Sequence, residues 1–82
     1  MLDQTITFPV LKKSDDYIRE TLTLVYSALK EKGYNPINQI VGYILSEDPT
    51  YITNQNNARA LMGRINREDL LKTLVKDFID KH

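Results

Sequence analysis

Apolar positions recur along most of this chain at helical spacing, and polar or proline-marked breaks divide them into separate stripes. Ile18, Leu22, Val25, Tyr26 and Leu29 fall at i, i+4, i+7, i+8 and i+11, one face of a helix that runs to Gly33. Ser14 is placed as its N-cap, with Asp15 and Asp16 in a first turn where the helix dipole favours negative charge. Ile37, Ile40, Val41, Ile44 and Leu45 form a second, broad stripe that ends near Ser46. Asp48-Pro49 then repeats a start signal, and Thr50-Tyr51-Ile52 leaves room for a turn or two. A polar tract, Thr53 to Asn57, connects to a fourth helix read through Ala58, Leu61, Met62 and Ile65, with that helix's N-cap inside the tract. The fifth starts after Asn66, with Glu68 and Asp69 in its first turn, and carries Leu70, Leu71, Leu74, Val75, Phe78 and Ile79 to the C-terminus. Five short helices and no credible core strand predict an all-α bundle.

The chain turns on the corner between the first two stripes. Gly33 can close a helix in the left-handed conformation without a Cβ penalty, and Tyr34 follows where such a cap favours an apolar contact. Asn35 suits the next N-cap, and Pro36 the first helical position, where its missing amide is not needed. Gly42 sits inside the second helix at a cost of about 1 kcal/mol relative to alanine. It suggests another backbone crossing close by, with a second subunit as one source.

Residues 1–13 read differently. Ile6, Phe8 and Val10 alternate with Thr5, Thr7 and Pro9, a period of two that a lone strand cannot turn into a stable fold. The expectation is a flexible N-terminal arm over 1–13 and a helical domain over 14–82. Thr5 and Thr7 lie in accessible extended chain, where a kinase can bind a substrate. At 82 residues the domain is small enough that oligomerisation is a natural remedy for marginal stability. The chain has no cysteine, hence no disulfide, no thiolate metal site and no cysteine nucleophile, which fits a reducing compartment. The first ten residues hold no basic n-region and no apolar run approaches the ~20 residues of a membrane span, so a soluble, cytoplasmic protein is expected.

Candidate chemistry is sparse. The single histidine is His82, and no glycine-rich phosphate loop is present. The acidic pairs Asp15/Asp16, Glu47/Asp48 and Glu68/Asp69 all sit at predicted helix starts, where capping and the dipole account for them. No catalytic residue, cofactor or metal ligand is assigned, and the chain is not read as an enzyme. What remains is a basic group, Arg59, Arg64 and Arg67, with Lys72 and Lys76 further on. Arginine forks suit a phosphate or a partner carboxylate; a solvated helix face is the plainer account. A helical nucleic-acid binder is the alternative, disfavoured by 11 basic against 11 acidic residues. A purely structural dimerisation module is another.

The corner GYNPINQIVGYIL, the following DPTYI, Asn57-Ala58-Arg59 and the REDLL helix start together resemble the IreB family of small regulatory phosphoproteins of low-GC Gram-positive bacteria. The similarity runs from Asp3-Gln4-Thr5-Ile6-Thr7-Phe8 to the last helix. The resemblance implies a cytoplasmic helical homodimer with a flexible arm, phosphorylated by a membrane-anchored Ser/Thr kinase with PASTA repeats and dephosphorylated by a cognate phosphatase. It also implies an output in cell-wall synthesis and wall-antibiotic resistance, through turnover of an early peptidoglycan enzyme. Thr5 matches the family's acceptor position. The place of a second acceptor, three residues earlier, is Leu2 here, and Thr7 takes no role from the family.

Overall fold

The computed structural model describes residues 14–81. The arm and His82, and with them Thr5 and Thr7, lie outside the described residues. Four α-helices follow one another: α1 (Ser14–Glu31), α2 (Pro36–Ser46), α3 (Ala58–Gly63) and α4 (Arg67–Lys81). No strand occurs among the described residues, in keeping with the all-α expectation. Where the third short helix was expected stands a single 3-10 turn, Pro49–Tyr51, and a second, Gln55–Asn57, leads directly into α3.

α1 is the spine, packed against α2, α3 and α4. Its Ile18, Val25, Ala28 and Leu29 are buried with Ile52, with Ala58 and Met62 of α3, and with Leu70 of α4. Those eight side chains are the apolar core. Ile52 enters it from the end of a 3-10 turn, because Asp48 bends the chain inward. The Asp48 carboxylate accepts from the Thr50 amide (3.0 Å) and hydroxyl (2.7 Å), and these bonds hold it below the usual carboxylate range.

The corner forms as its residues dictate. Gly33 has φ +89°. Its amide donates to the Lys30 carbonyl (3.0 Å) and the Tyr34 amide to that of Leu29 (3.0 Å), the paired bonds of a Schellman cap. Asn35 is extended, accepts from the Asn38 amide (3.1 Å), and is followed by Pro36 in the first turn. Asn66 caps α4 similarly, accepting from the Glu68 (2.8 Å) and Asp69 (3.2 Å) amides. The expected Ser14 cap lies outside the described side chains. Asn57 occupies the N-cap of α3 without a side-chain cap bond, because Asn56 and Asn57 both take left-handed backbone (φ 55° and 62°). Asparagine tolerates that conformation better than most residues, which is what the amide-rich tract supplies.

Gly42 is explained within one chain. A Cβ there would stand 2.4 Å from a ring carbon of Tyr51, so what crosses close by is a ring of the following turn. Gln39 fixes that turn by donating to the Tyr51 carbonyl (3.0 Å). Gly42→Ala should therefore lower stability by about 1–2 kcal/mol, the overpacking cost offset in part by helix propensity. In a Tyr51→Ala background the same substitution should raise stability by about 1 kcal/mol. Denaturant titration of the four proteins in this cycle checks the change of sign.

Candidate functional site

Both apolar helices flanking α1 leave much of their stripe uncovered. α2 has no charged residue on any face, yet none of its residues is buried. Ile40, Tyr43 and Ile44 pack against the core, while Ile37, Val41 and Leu45 face outward, Leu45 with 78% of its surface exposed. α4 buries only Leu70 and Thr73. Its Leu71, Leu74, Val75, Phe78 and Ile79 are exposed, so this expected core stripe is a surface in the single chain. The reason is room: α1 presents one face, and Ile52 and Met62 already fill much of it.

The uncovered side chains line two open grooves. One, about 390 Å³, lies between Leu22 and Tyr26 of α1, Ile37, Ile40, Val41 and Ile44 of α2, and Leu74 of α4. The other, about 660 Å³, follows α4 along Leu71, Val75 and Ile79, with Asp15, Asp69, Lys72, Lys76 and Asp80 around it. Contiguous apolar surface with a polar rim marks a place where another surface is accommodated.

An ionic network ties α1 to α4 beside the second groove. The Arg19 guanidinium grips Asp77 with two bonds (Nε–Oδ2 2.9 Å, Nη2–Oδ1 2.7 Å) and donates a third to Asp16 (2.9 Å). Lys76 reaches Asp15 (2.7 Å), which also accepts from the Thr73 hydroxyl (3.4 Å). The hydrogen bond from Lys76 is the main cause holding the Asp15 carboxyl below its ordinary range, and the bond from Arg19 does the same for Asp77. Arg19 and Lys76 are correspondingly pushed up by those carboxylates.

The three arginines read as one cluster have separate partners. Arg59 donates from Nε to the Ile52 carbonyl (2.9 Å), and so fixes the turn that carries Ile52 into the core. Arg67 donates to the Ile44 carbonyl (2.8 Å) and pairs with Glu47 (2.8 Å), closing the C-terminus of α2, where Glu47 sits at φ 59°. Arg64 lines a separate small cleft with Tyr17, Ile18, Ile65, Asn66 and Asp69. Arg59 shares a polar cleft of about 270 Å³ with Lys32, Tyr34, Thr50, Thr53 and Asn54. Arg59 and Arg67 thus each donate to a backbone carbonyl. Lys72 pairs with Glu68 on its own helix (3.0 Å). Among the described residues no cluster of His, Cys, Asp or Glu is placed to hold a metal ion, and no helix is long and apolar enough to cross a membrane.

The grooves escaped a reading by periodicity, since a stripe announces burial without saying against what. One signal was available: an eleven-residue helix with no charged residue carries more apolar side chains than one packed face can take.

The profile of the family described as IreB regulatory phosphoprotein matches residues 3–80. A UPF0297 protein of Ruminiclostridium cellulolyticum is 49% identical over 81 residues, covering 99% of this chain and 92% of the relative. A UPF0297 protein of Lachnoclostridium phytofermentans is 48% identical over the same extent.

The ionic network sets an acid limit on the α1–α4 contact. Carboxyls depressed in the folded state contribute stability that is whole above the unfolded value of about 3.9, and it is lost as pH falls through the folded values. The thermal midpoint should therefore hold between neutral pH and about pH 5 and drop steeply below about pH 4. Asp15→Asn with Asp77→Asn should lower the midpoint at neutral pH and flatten the acid drop. An unchanged acid profile in that variant would show that the network does not carry the effect.

Proposed function

The chain belongs to the IreB family of regulatory phosphoproteins, and on that premise we propose that it is a non-enzymatic, cytoplasmic adaptor switched by phosphorylation. Residues 1–13 act as the modified arm and residues 14–82 as the binding domain. The kinase is a PASTA-type Ser/Thr kinase opposed by a cognate phosphatase. The output is cell-wall synthesis and resistance to wall-active antibiotics, reached through contact with a protein of peptidoglycan synthesis or of its turnover. Thr5 is the first candidate acceptor and Thr7 the second.

The observation that carries this reading is the match of a regulatory-phosphoprotein family across residues 3–80. The uncovered apolar grooves support it, since a protein that works by contact needs a surface of that kind. The working unit is a homodimer, seated on the groove between α1 and α2 through Ile37, Val41 and Leu74. A second copy there covers side chains for which one chain has no core. Phosphate adds about −1.5 to −2 charge and three strong acceptors to an arm that otherwise carries one acid, Asp3, and so changes what the dimer can hold. Lys32 and Arg59, in their polar cleft, are the proposed contact for a phosphate or an acidic partner; Arg64 contributes separately and Arg67 is occupied by Glu47.

Fragment mass spectrometry on the protein from its own host, with and without wall-antibiotic stress, should place a phosphate on Thr5 whose occupancy follows the stress. A Thr5→Ala strain should then lose its normal response to such antibiotics. Phosphate on Thr7 alone would move the acceptor; its absence from both would overturn the switch. For the dimer, Val41→Glu should shift the sedimenting mass from two chains to one while the helical circular dichroism stays unchanged. A wild-type protein that sediments as one chain at micromolar concentration removes the dimer.

A further inference from the structure

The groove along α4 lies beside the point where the described chain begins. Asp15, the second described residue, is itself part of its wall. Thirteen residues precede Ser14, and four peptide steps from Val10 to Ser14 reach about 13 Å, enough to bring the arm onto the groove. We infer that the N-terminal arm of the same chain is the occupant of this groove, with Ile6, Phe8 and Val10 laid over Leu71, Val75 and Ile79.

The two patterns have the same pitch. Side chains at i, i+2 and i+4 of an extended segment share a face at intervals of about 6.6 Å. Residues at i, i+4 and i+8 of a helix are spaced about 6.0 Å apart along its axis. Ile6, Phe8 and Val10 therefore span about 13 Å and Leu71, Val75 and Ile79 about 12 Å, three apolar positions against three. Thr7 and Pro9, which alternate with them, point away from the helix in this arrangement, and Thr5 lies beyond the three seated residues, at the end of the groove. Val75 and Ile79 have 60% and 63% of their surface exposed without a cover, so the arm supplies apolar area that the core cannot. Asp69 and Asp80 mark the two ends of the groove.

That last feature gives the groove a response to modification, a consequence that rests on the reading of Thr5 as an acceptor. Thr5 adjoins Ile6, and Ile6 covers one end of the three-residue floor. Whichever way the arm runs, Thr5 falls near a carboxylate, Asp69 at the Leu71 end or Asp80 at the Ile79 end. Of the cations that line the groove, Lys76 is engaged with Asp15 and Lys72 with Glu68. Phosphate there meets like charge and leaves the groove, carrying the arm with it. The unmodified arm is the seated form, and the modified arm uncovers α4.

A nitroxide on Gln4→Cys tests this directly, since the chain has no other cysteine. In spin-labelled, nitrogen-15 protein diluted tenfold with plain unlabelled protein, the amides of residues 71–79 should lose more than half their intensity. Adding Phe8→Ser should restore most of it with helix content unchanged. No loss at 71–79, or loss only when the label is on a different chain from the nitrogen-15, overturns the proposal; the latter assigns the groove to a second copy. Loss that survives Phe8→Ser also overturns it, because the seat is then not apolar. Thr5-phosphorylated protein should show at least a threefold smaller effect. A phosphorylated arm that stays seated overturns the coupling, while phosphate found on Thr5 in the host would leave the phosphoprotein reading intact.

Discussion

Burial of Val25, Ala28 and Leu29 of α1 against Ile52, Ala58 and Met62 is the contact on which everything else in the structure hangs. Each large side chain placed there contributes roughly 1.5–3 kcal/mol, and in a chain of this length few such placements exist. One helix offers one face, and the turn after Asp48 and the short α3 use most of it. α2 and α4, the two helices with the largest exposed apolar stripes, have to attach by an edge.

That shortage changes how α2 is held. Burial does not fix it, so its ends do: the Schellman bonds and Asn35 at one side, Arg67 at the other, and the Tyr51 ring on Gly42 between them. Directional bonds at the ends leave the outer stripe of Ile37, Val41 and Leu45 exposed. α4 is attached by Leu70, Thr73 and the ionic network of Arg19 and Asp15, and it keeps its second face free in the same way. A surface organised in this manner is suited to contact with another surface.

Several features were legible in the chain because they rest on neighbouring residues. The corner at Gly33, Asn35 and Pro36, the Asn66 cap and the Asp48-Pro49 turn all form from bonds spanning five residues or fewer, so the local order of residue types specifies them. The arginines were not legible. Arg59, Arg64 and Arg67 are close in sequence, but α3 ends at Gly63 and the chain turns, so their partners are a carbonyl of the preceding turn, a small cleft and the end of α2. Gly42 sat between these cases: its closeness to something was readable, and that the neighbour is the ring of Tyr51 was not.

By itself, then, the sequence determined the helical class, the breaks between helices, the capping at Asn35, Asp48 and Asn66 and the likeness to a regulatory family, since periodicity and short-range bonding decide the first three and a long shared string the last. Only the tertiary structure decided which stripe became core. Hydrophobic spacing is the same for a face that meets its own chain and one that meets something else. The choice depends on how much surface α1 can offer and what packs on it, and Ile52, Met62 and Leu70 are buried there while Val41, Val75 and Ile79 are not.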